Sequence, residues 1–492
     1  MKTTDFIKLI SSHIEKMGLI GPSEELSRMT ADSKEADEGT VFFCIKGSKV
    51  DGHDFAEQVI HNNAALVIGE KDLNIEKYIQ VRSVKDVLKL ISPVFYNYPD
   101  SRMKMAAVTG TNGKTSTTFM IESMLSGIFR CGVIGTLGYR YGGRTFDAPN
   151  TTPLNWKWYS LLNEMEKVLT EVVISEVSSH AIEEERIEKT LFDVAVFTNL
   201  TRDHLDFHGD IENYFQAKKK LFTKHLKKGG KAVINYDDIF GKRLYEEICD
   251  SVECIRISES YPDAEIKILI KKLDSSGSTV DISFEGVCKT VKIPLLGKYN
   301  IYNTVCAFAV CSVLAGRDMA FESAGKRVSV PGRLEQIGKE SIFVDYAHSP
   351  DALENILKTV IDLKIFKRII TVIGAGGDRD RGKRPLMGEV ATRYSDIVIL
   401  TDDNPRSEDP EGIIRDILAG CNPENSVIEV INNRSEAIRR AVFIKTKEDA
   451  LIVAGKGAEN YQITHEGKRF FSDREEIEKY LRELQNVHNS TD

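Results

Sequence analysis

Ala106-Ala107-Val108-Thr109-Gly110-Thr111-Asn112-Gly113-Lys114-Thr115 is the stretch that decides how the rest of the chain is read. A short apolar run ends in a turn punctuated by glycine. Beyond it Phe119, Met120, Ile121, Met124 and Leu125 recur at helical spacing until Gly127. The pattern predicts strand, tight loop, helix. Gly110 and Gly113 let backbone N–H groups close around an anion, and the helix N-terminus adds partial positive charge. Lys114 then reaches the outer phosphates while the Thr115 hydroxyl suits Mg2+. The loop reads as a triphosphate cradle. Val108 stands where the general GxxxxGK[ST] pattern has its first glycine, so it is a tighter variant, and a chance Gly-Lys-Thr turn is the plain alternative.

At 492 residues the chain is too long for one core, and a prior of roughly 100 to 200 residues per domain suggests about three domains. A 41% hydrophobic, 28% charged composition is that of a soluble protein, and a formal charge of -8 argues against a nucleic-acid partner. The eight cysteines form no CxxC pair and read as reduced core residues of a cytoplasmic protein. Met1 to Gly21 carries Asp5, Lys8, Glu15 and Lys16, which predicts an amphipathic helix and no signal peptide. No run approaches the ~20 apolar residues of a membrane span, so no membrane partner is expected.

Between Ala31 and Ser83 short apolar strands alternate with helical stretches in a small α/β unit, where Ser33 is equally a turn cap or a ligand contact. After the cradle, predicted strands at Val172–Val177 and Val194–Leu200 end in Glu176-Val177-Ser178-Ser179-His180 and in Thr198-Asn199. In an open parallel sheet the ligand crevice lies beyond the carboxyl ends of the strands. Glu176 and His204 therefore suggest metal ligation beside the phosphate loop, with a turn cap as the other reading of His204. On the helix predicted over Glu212 to Lys228, Lys218 falls on the apolar stripe, four residues from Tyr214. Its amine either snorkels to the surface or, with a depressed pKa, takes up CO2 as a metal-binding carbamate; periodicity alone favours snorkelling.

Glu265 to Pro294 alternates like a β-meander, and Asn300 and Asn303 open the next helix as adenine readers or as caps. Val330-Pro331-Gly332-Arg333 reads as a hinge into a βαβ region with strands at Ile342–Tyr346, Ile369–Ile373, Ile397–Thr401 and Leu451–Ala454. The loops after these strands carry Arg379, Arg406 and Glu459. Arginine forks and a carboxylate suit an amino-acid zwitterion, and structural ion pairing accounts for each residue singly.

Taken together, the motifs GTNGKT (Gly110–Thr115), EVSSH (Glu176–His180), NLTRDHLDFH (Asn199–His208), GKYNIYN (Gly297–Asn303), DYAH (Asp345–His348), GGDRDRGKRP (Gly376–Pro385) and DNPR (Asp403–Arg406) resemble the Mur ligases. These are ATP-dependent amino-acid ligases of peptidoglycan precursor synthesis, and the resemblance covers nearly the whole chain. It implies an α/β fold in three domains: residues 1–100 for the uridine nucleotide, a central P-loop ATPase-like domain over 101–330, and a Rossmann-like amino-acid domain over 331–492. On these positions the resemblance places Ser33, Thr151, Thr152, Ser178 and Arg186 against the uridine-nucleotide substrate. It places Gly110, Thr111, Asn112, Gly113, Lys114, Thr115, Asn300, Arg333 and Asp345 against ATP. Catalytic roles fall on Lys114, Lys218, His204 and Glu176. Mg2+ falls to Thr115, Glu176, His204 and Lys218, the last as a carbamate, which reverses the snorkelling preference.

Arg379, Asp403, Asn404, Arg406, Gly455 and Glu459 match the amino-acid site. The motif at Asp403 looks like that of the diaminopimelate-adding members, since Arg406 offers a fork to the second carboxylate that lysine lacks. The implied reaction joins the D-glutamyl γ-carboxylate of UDP-N-acetylmuramoyl-L-Ala-D-Glu to meso-diaminopimelate through an acyl phosphate. A lysine-adding or repurposed ligase, and a nucleotide-binding switch that ligates nothing, are the rival readings. Glu184 and Ala458 depart from the family pattern, which has glutamine and histidine there.

Overall fold

A computed structural model of the chain describes residues 1–47, 50–338 and 340–489. The chain divides into two compact units, Met1–Ala107 with Gly127–Asp193 and Lys220–Gly230, and Val108–Ser126 with Val194–Lys219 and Lys231–Asp492.

The first unit holds a five-stranded sheet in the order Ile14–Met17, Tyr78–Val81, Leu66–Gly69, Thr40–Phe43, Arg28–Thr30. Three of its four pairings are parallel; the edge strand Ile14–Met17 runs antiparallel to Tyr78–Val81. The expected N-terminal helix is thus corrected: it covers Thr3–Ile10 and gives way to a 3-10 turn and this strand. Ser11 and Ser12 interrupt the periodicity, and short hydroxyl side chains compete with helical backbone hydrogen bonds. The strand Val172–Glu176 pairs in parallel with Cys131–Gly135, and all four residues up to Ser175 are buried, as a strand covered on both faces requires.

In the second unit the Lys231–Asn235 part of the strand Leu226–Asn235 pairs in parallel with Glu253–Ser258, which pairs in parallel with Ile266–Asp274, and Gly277–Phe284 and Val287–Ile293 complete the antiparallel meander expected from the alternation. The helix expected to reach Lys228 stops at Lys224, and Lys227 and Lys228 open a strand. A six-stranded sheet follows in the order Glu335–Gln336, Ile342–Asp345, Asp449–Ala454, Arg368–Ile373, Ile397–Leu400, Val427–Val430, parallel except at its short first strand. One face packs Leu357, Met387 and Ile417 from three helices; the other packs Ile438, Val442 and Ile477. With both faces covered, the polar segments are driven to the strand ends, and there the loops named above collect.

All eight cysteines are free thiols, but only Cys44, Cys306 and Cys311 are buried, and Cys249 and Cys288 are exposed, so the expectation of core cysteines holds for part of the set. Among the described residues no helix is long and apolar enough to cross a membrane.

Candidate functional site

The strand Lys104–Thr109 ends at Gly110 and the helix Lys114–Leu125 begins four residues later. Gly110 (φ 146°) and Gly113 (φ 86°) both lie in the left-handed region that favours glycine. A side chain on Gly110 would come within 1.9 Å of the Thr198 hydroxyl. The strand end at Thr198-Asn199 buttresses the loop: the Asn112 N–H donates to Asn199 Oδ1 at 2.9 Å, and Thr198 Oγ1 donates to the Asn112 carbonyl at 2.6 Å. Lys114 curls back, its Nζ donating to the Gly110 and Thr111 carbonyls at 2.9 Å each.

Lys218 meets the same loop. Its Nζ donates to the Gly110 carbonyl at 2.9 Å and lies 4.6 Å from the Tyr214 ring. The residue is 1% exposed, so its stem does not carry the amine to water and the snorkelling reading falls. Burial, aided by the Lys114 ammonium and opposed by Asp203, pushes this amine well below the usual lysine value. The Tyr214 ring also packs edge-on to His204 at 6.1 Å, and its hydroxyl meets Thr111 Oγ1 at 3.2 Å. One tyrosine therefore gathers His204, Lys218 and the loop. His204 itself sits at φ 55°, an uncommon backbone for a residue with a Cβ.

Arg333 Nη2 donates to Thr115 Oγ1 at 3.3 Å, and its guanidinium stacks 4.3 Å from the Tyr346 ring. Asp345 accepts from the Leu334 and Ala347 N–H groups at 2.6 and 2.7 Å, and burial raises its pKa against the pull of Arg333. Asn300 donates to the Leu296 carbonyl at 2.8 Å and accepts from Asn303 at 3.2 Å; the helix Lys298–Ala315 starts at Gly297, which has no side chain to cap with, so the expectation that Asn300 caps it is corrected: Asn300 lies inside the first turn.

At the ends of the six-stranded sheet Asn404, Lys456 and Glu459 form a cluster. Asn404 Nδ2 donates to Glu459 Oε2 at 3.0 Å, while Lys456 Nζ donates to Asn404 Oδ1 at 3.3 Å and to Glu459 Oε2 at 3.2 Å. Arg406 Nη1 donates to the Gly377 carbonyl at 2.6 Å, and Arg379, exposed, donates to the Asp378 carbonyl at 3.1 Å. Asp403 Oδ2 lies 2.5 Å from where a Gly455 Cβ would stand, which is why that position must be glycine. The structure so brings Asp403, Asn404, Arg406, Gly455 and Glu459 to one loop cluster, in which Lys456 pairs with Glu459 at 3.2 Å.

Sequence reasoning passed over Asp203. Its carboxylate lies 3.6 Å from Lys383 Nζ, 3.5 Å from His348 Nε2 and 3.6 Å from His204 Nε2. Burial works to raise its pKa, yet His348, His204 and Lys383 together hold the carboxyl well below the usual range. Its place inside the NLTRDHLDFH run beside His204 was the available signal.

In the first unit Glu176 accepts from the Thr136 N–H and hydroxyl at 3.0 Å each, and Thr136 Oγ1 lies 3.0 Å from Thr151 Oγ1. Thr152 donates to the Glu176 carbonyl at 2.8 Å and accepts from the Ser178 N–H at 3.1 Å. Arg186 Nη1 donates to the Thr152 carbonyl at 2.7 Å, and its Nε donates to Glu184 at 2.8 Å. The departure at Glu184 thus supplies an ion-pair partner for Arg186. Ser33 stands apart on a short 3-10 turn that Asp32, not Ser33, caps. Among the described residues no group of three or more His, Cys, Asp or Glu side chains gathers as a metal site.

Three family models match the chain: "Mur ligase family, catalytic domain" over residues 25–97, "Mur ligase middle domain" over 108–311, and "Mur ligase, glutamate ligase domain" over 332–457. A UDP-N-acetylmuramoyl-L-alanyl-D-glutamate--2,6-diaminopimelate ligase of Fusobacterium nucleatum is 40% identical over 456 residues, 90% of this chain and 91% of that protein. The protein of the same name from Clostridium perfringens is 39% identical over 460 residues, 91% and 93% of the two chains. Among solved structures, one of a UDP-N-acetylmuramoyl-L-alanyl-D-glutamate--2,6-diaminopimelate ligase superposes with a TM-score of 0.61 at 30% identity, covering 94% of this chain and 95% of its own. The MurF ligase of Thermotoga maritima in complex with ADP shares the fold at a TM-score of 0.69 and 19% identity, covering 94% and 98%.

Proposed function

Because this chain belongs to the Mur ligase family, we propose that it carries out the step for which those relatives are named, joining UDP-N-acetylmuramoyl-L-Ala-D-Glu to meso-diaminopimelate. It is an ATP-dependent ligase of peptidoglycan synthesis with the three-domain α/β fold of that family. ATP phosphorylates the D-glutamyl γ-carboxylate; the diaminopimelate amine then attacks the acyl phosphate, releasing phosphate and leaving ADP. Such a reaction asks the protein for positioning and charge stabilisation. The loop N–H groups hold the phosphates, and Lys114, held for now by two loop carbonyls, turns its ammonium to the transferring phosphoryl group. The adenosine side falls to Asn300, Arg333 and Asp345. Thr115, His204 and a carbamate on Lys218, with Glu176 added by the resemblance, are a donor set suited to Mg2+. When bound, that ion neutralises developing phosphoryl charge.

The uridine-nucleotide side falls to Ser33, Thr151, Thr152, Ser178 and Arg186, and the amine side to Arg379, Asp403, Asn404, Arg406, Gly455 and Glu459. Domain limits of 1–100, 101–330 and 331–492 and a cytoplasmic setting belong to the same reading. The observation that carries it is Lys218, a lysine sealed from water and hydrogen-bonded to the phosphate loop. An uncharged amine there costs the fold little and is a nucleophile for CO2.

The test is phosphate release across a panel of amines with and without the muramoyl dipeptide. Release is expected only when dipeptide and meso-diaminopimelate are both present. Release without an amine would make the chain a nucleotide switch, and a preference for lysine would make it a lysine-adding ligase.

A further inference from the structure

Lys456 is fully buried, 0% exposed, in the loop after the strand Asp449–Ala454. An ammonium without water must spend its three N–H donors on the protein. Two go to Asn404 Oδ1 (3.3 Å) and Glu459 Oε2 (3.2 Å), and the Tyr461 ring centroid lies 5.5 Å away. Both partners are residues to which the reading above gives the incoming amino acid, so this inference rests on that reading.

We propose that Lys456 is a positioning residue that sets the selectivity of the amine site by fixing the orientation of the Asn404 amide and the placement of the Glu459 carboxylate. The Asn404 Oδ1 accepts from both Lys456 Nζ and the Ile463 N–H (2.9 Å), and these two donors decide which way the carboxamide faces. Its NH2 group is thereby turned onto Glu459 Oε2 at 3.0 Å. Glu459 Oε2 is saturated by two donors, and the side chain, 20% exposed, is left aimed by them rather than free to swing. Without Lys456 the amide loses one of the two donors that orient it, and the carboxylate loses the cation that pairs with it at 3.2 Å. The side-chain partners of Lys456, Asn404, Glu459 and the Tyr461 ring, all lie away from the phosphate loop, so its effect belongs to the amine and not to ATP.

The experiment is steady-state kinetics of the full chain with meso-diaminopimelate and with lysine, for wild type, Lys456→Met, Lys456→Arg, Glu459→Gln and the double variant Lys456→Met/Glu459→Gln. Loss of one charge-assisted hydrogen-bond pair predicts a rise on the order of tenfold in the diaminopimelate KM of Lys456→Met. The ATP KM is expected to stay within about twofold, and the ratio of kcat/KM for diaminopimelate over lysine to fall. If Lys456 acts through Glu459, the double variant is no worse than Glu459→Gln alone. Additive losses, or equal losses with both amines, overturn the inference while leaving the ligase reading intact. Failure of both Lys456→Met and Lys456→Arg to fold assigns the residue to the scaffold and likewise overturns it. A wild-type chain that ligates no amine overturns the ligase reading first, and this inference with it.

Discussion

An amine sealed from water is a poor place for a charge and a good nucleophile for carbon dioxide, and Lys218 is such an amine. Its depressed pKa keeps it uncharged further toward neutral pH than a surface lysine, which is the state that reacts. Protein stripped of CO2 is expected to lose activity and regain it with bicarbonate. Lys218→Ala is expected to fall on the order of a hundredfold in kcat, as when a metal's supporting shell is lost, and to ignore bicarbonate; full activity in that variant refutes the carbamate. Arg406 makes a different case. Its backbone is left-handed at φ 54° and its Nη1 is tied to the Gly377 carbonyl, so the fork is set before any ligand arrives. Arg406→Ala removes one charge-assisted pair, and about 1.5–3 kcal/mol of discrimination for diaminopimelate over lysine is expected to go with it. Competition between the two amines measures that ratio, and an unchanged ratio excludes the assigned fork.

The elements place these residues, and some carry a cost in doing so. Asp238 caps the helix Ile239–Ile248, accepting from the Phe240 and Gly241 N–H groups, yet burial raises its pKa to about 6. Asp402, at the end of the strand Ile397–Leu400, is raised by burial to about 6, against the pull of Arg434 and Arg469. For both, the folded pKa lies above the ordinary aspartate value of 3.8, so the folded protein binds more protons than the unfolded chain between those limits. These two groups therefore withdraw stability as pH rises from about 4 to about 6, and the loss persists above. Asp402→Asn is expected to be more stable than wild type at pH 7 and level with it near pH 3; thermal melts over that range check it, and parallel curves refute it. Asp238→Asn keeps a good cap and is expected to behave alike. The elements themselves were legible where the period was long. The strand–loop–helix at Lys104–Leu125 and the meander are placed within a few residues. The helix over Glu212–Lys228 overran because lysines satisfy either pattern, and only Gly229 and Gly230 hint at the change. The edge strand Val427–Val430, exposed at both ends, was passed over although the β-branched residues Val427, Ile428, Val430 and Ile431 were there to read; Glu429 breaks their run.

At the scale of the molecule the sequence pointed to the polar loops at the strand ends, because parallel sheets send their polar residues to one end. It was mute on what ties those loops together, since side-chain pairs distant in sequence leave no periodic trace. The tie runs through Asp203. Its buried carboxylate meets Lys383, itself 5% exposed, and His348, while neighbouring Arg202 reaches Asp380 at 3.5 Å. Asn112 of the phosphate loop adds a bond to Asp351 at 2.9 Å. All these residues lie in the second unit, and the pairs join the stretch matched by the middle-domain model to the stretch matched by the glutamate-ligase model. In the proposed reaction, whose acyl phosphate and amine are assigned to those two stretches, such pairs would hold the productive arrangement. Lys383→Met removes the cation from a pair buried on both sides while the two imidazoles remain, so the expected cost is roughly 1–3 kcal/mol rather than the full penalty of an orphaned charge. That loss should appear as a fall in kcat on the order of tenfold or more, with ADP binding unchanged because the loop itself is untouched. It should also appear as faster proteolytic cutting between the two matched stretches, near Val330 to Arg333. Unaltered cutting together with unaltered kcat would show that the Asp203–Lys383 pair holds nothing the reaction needs.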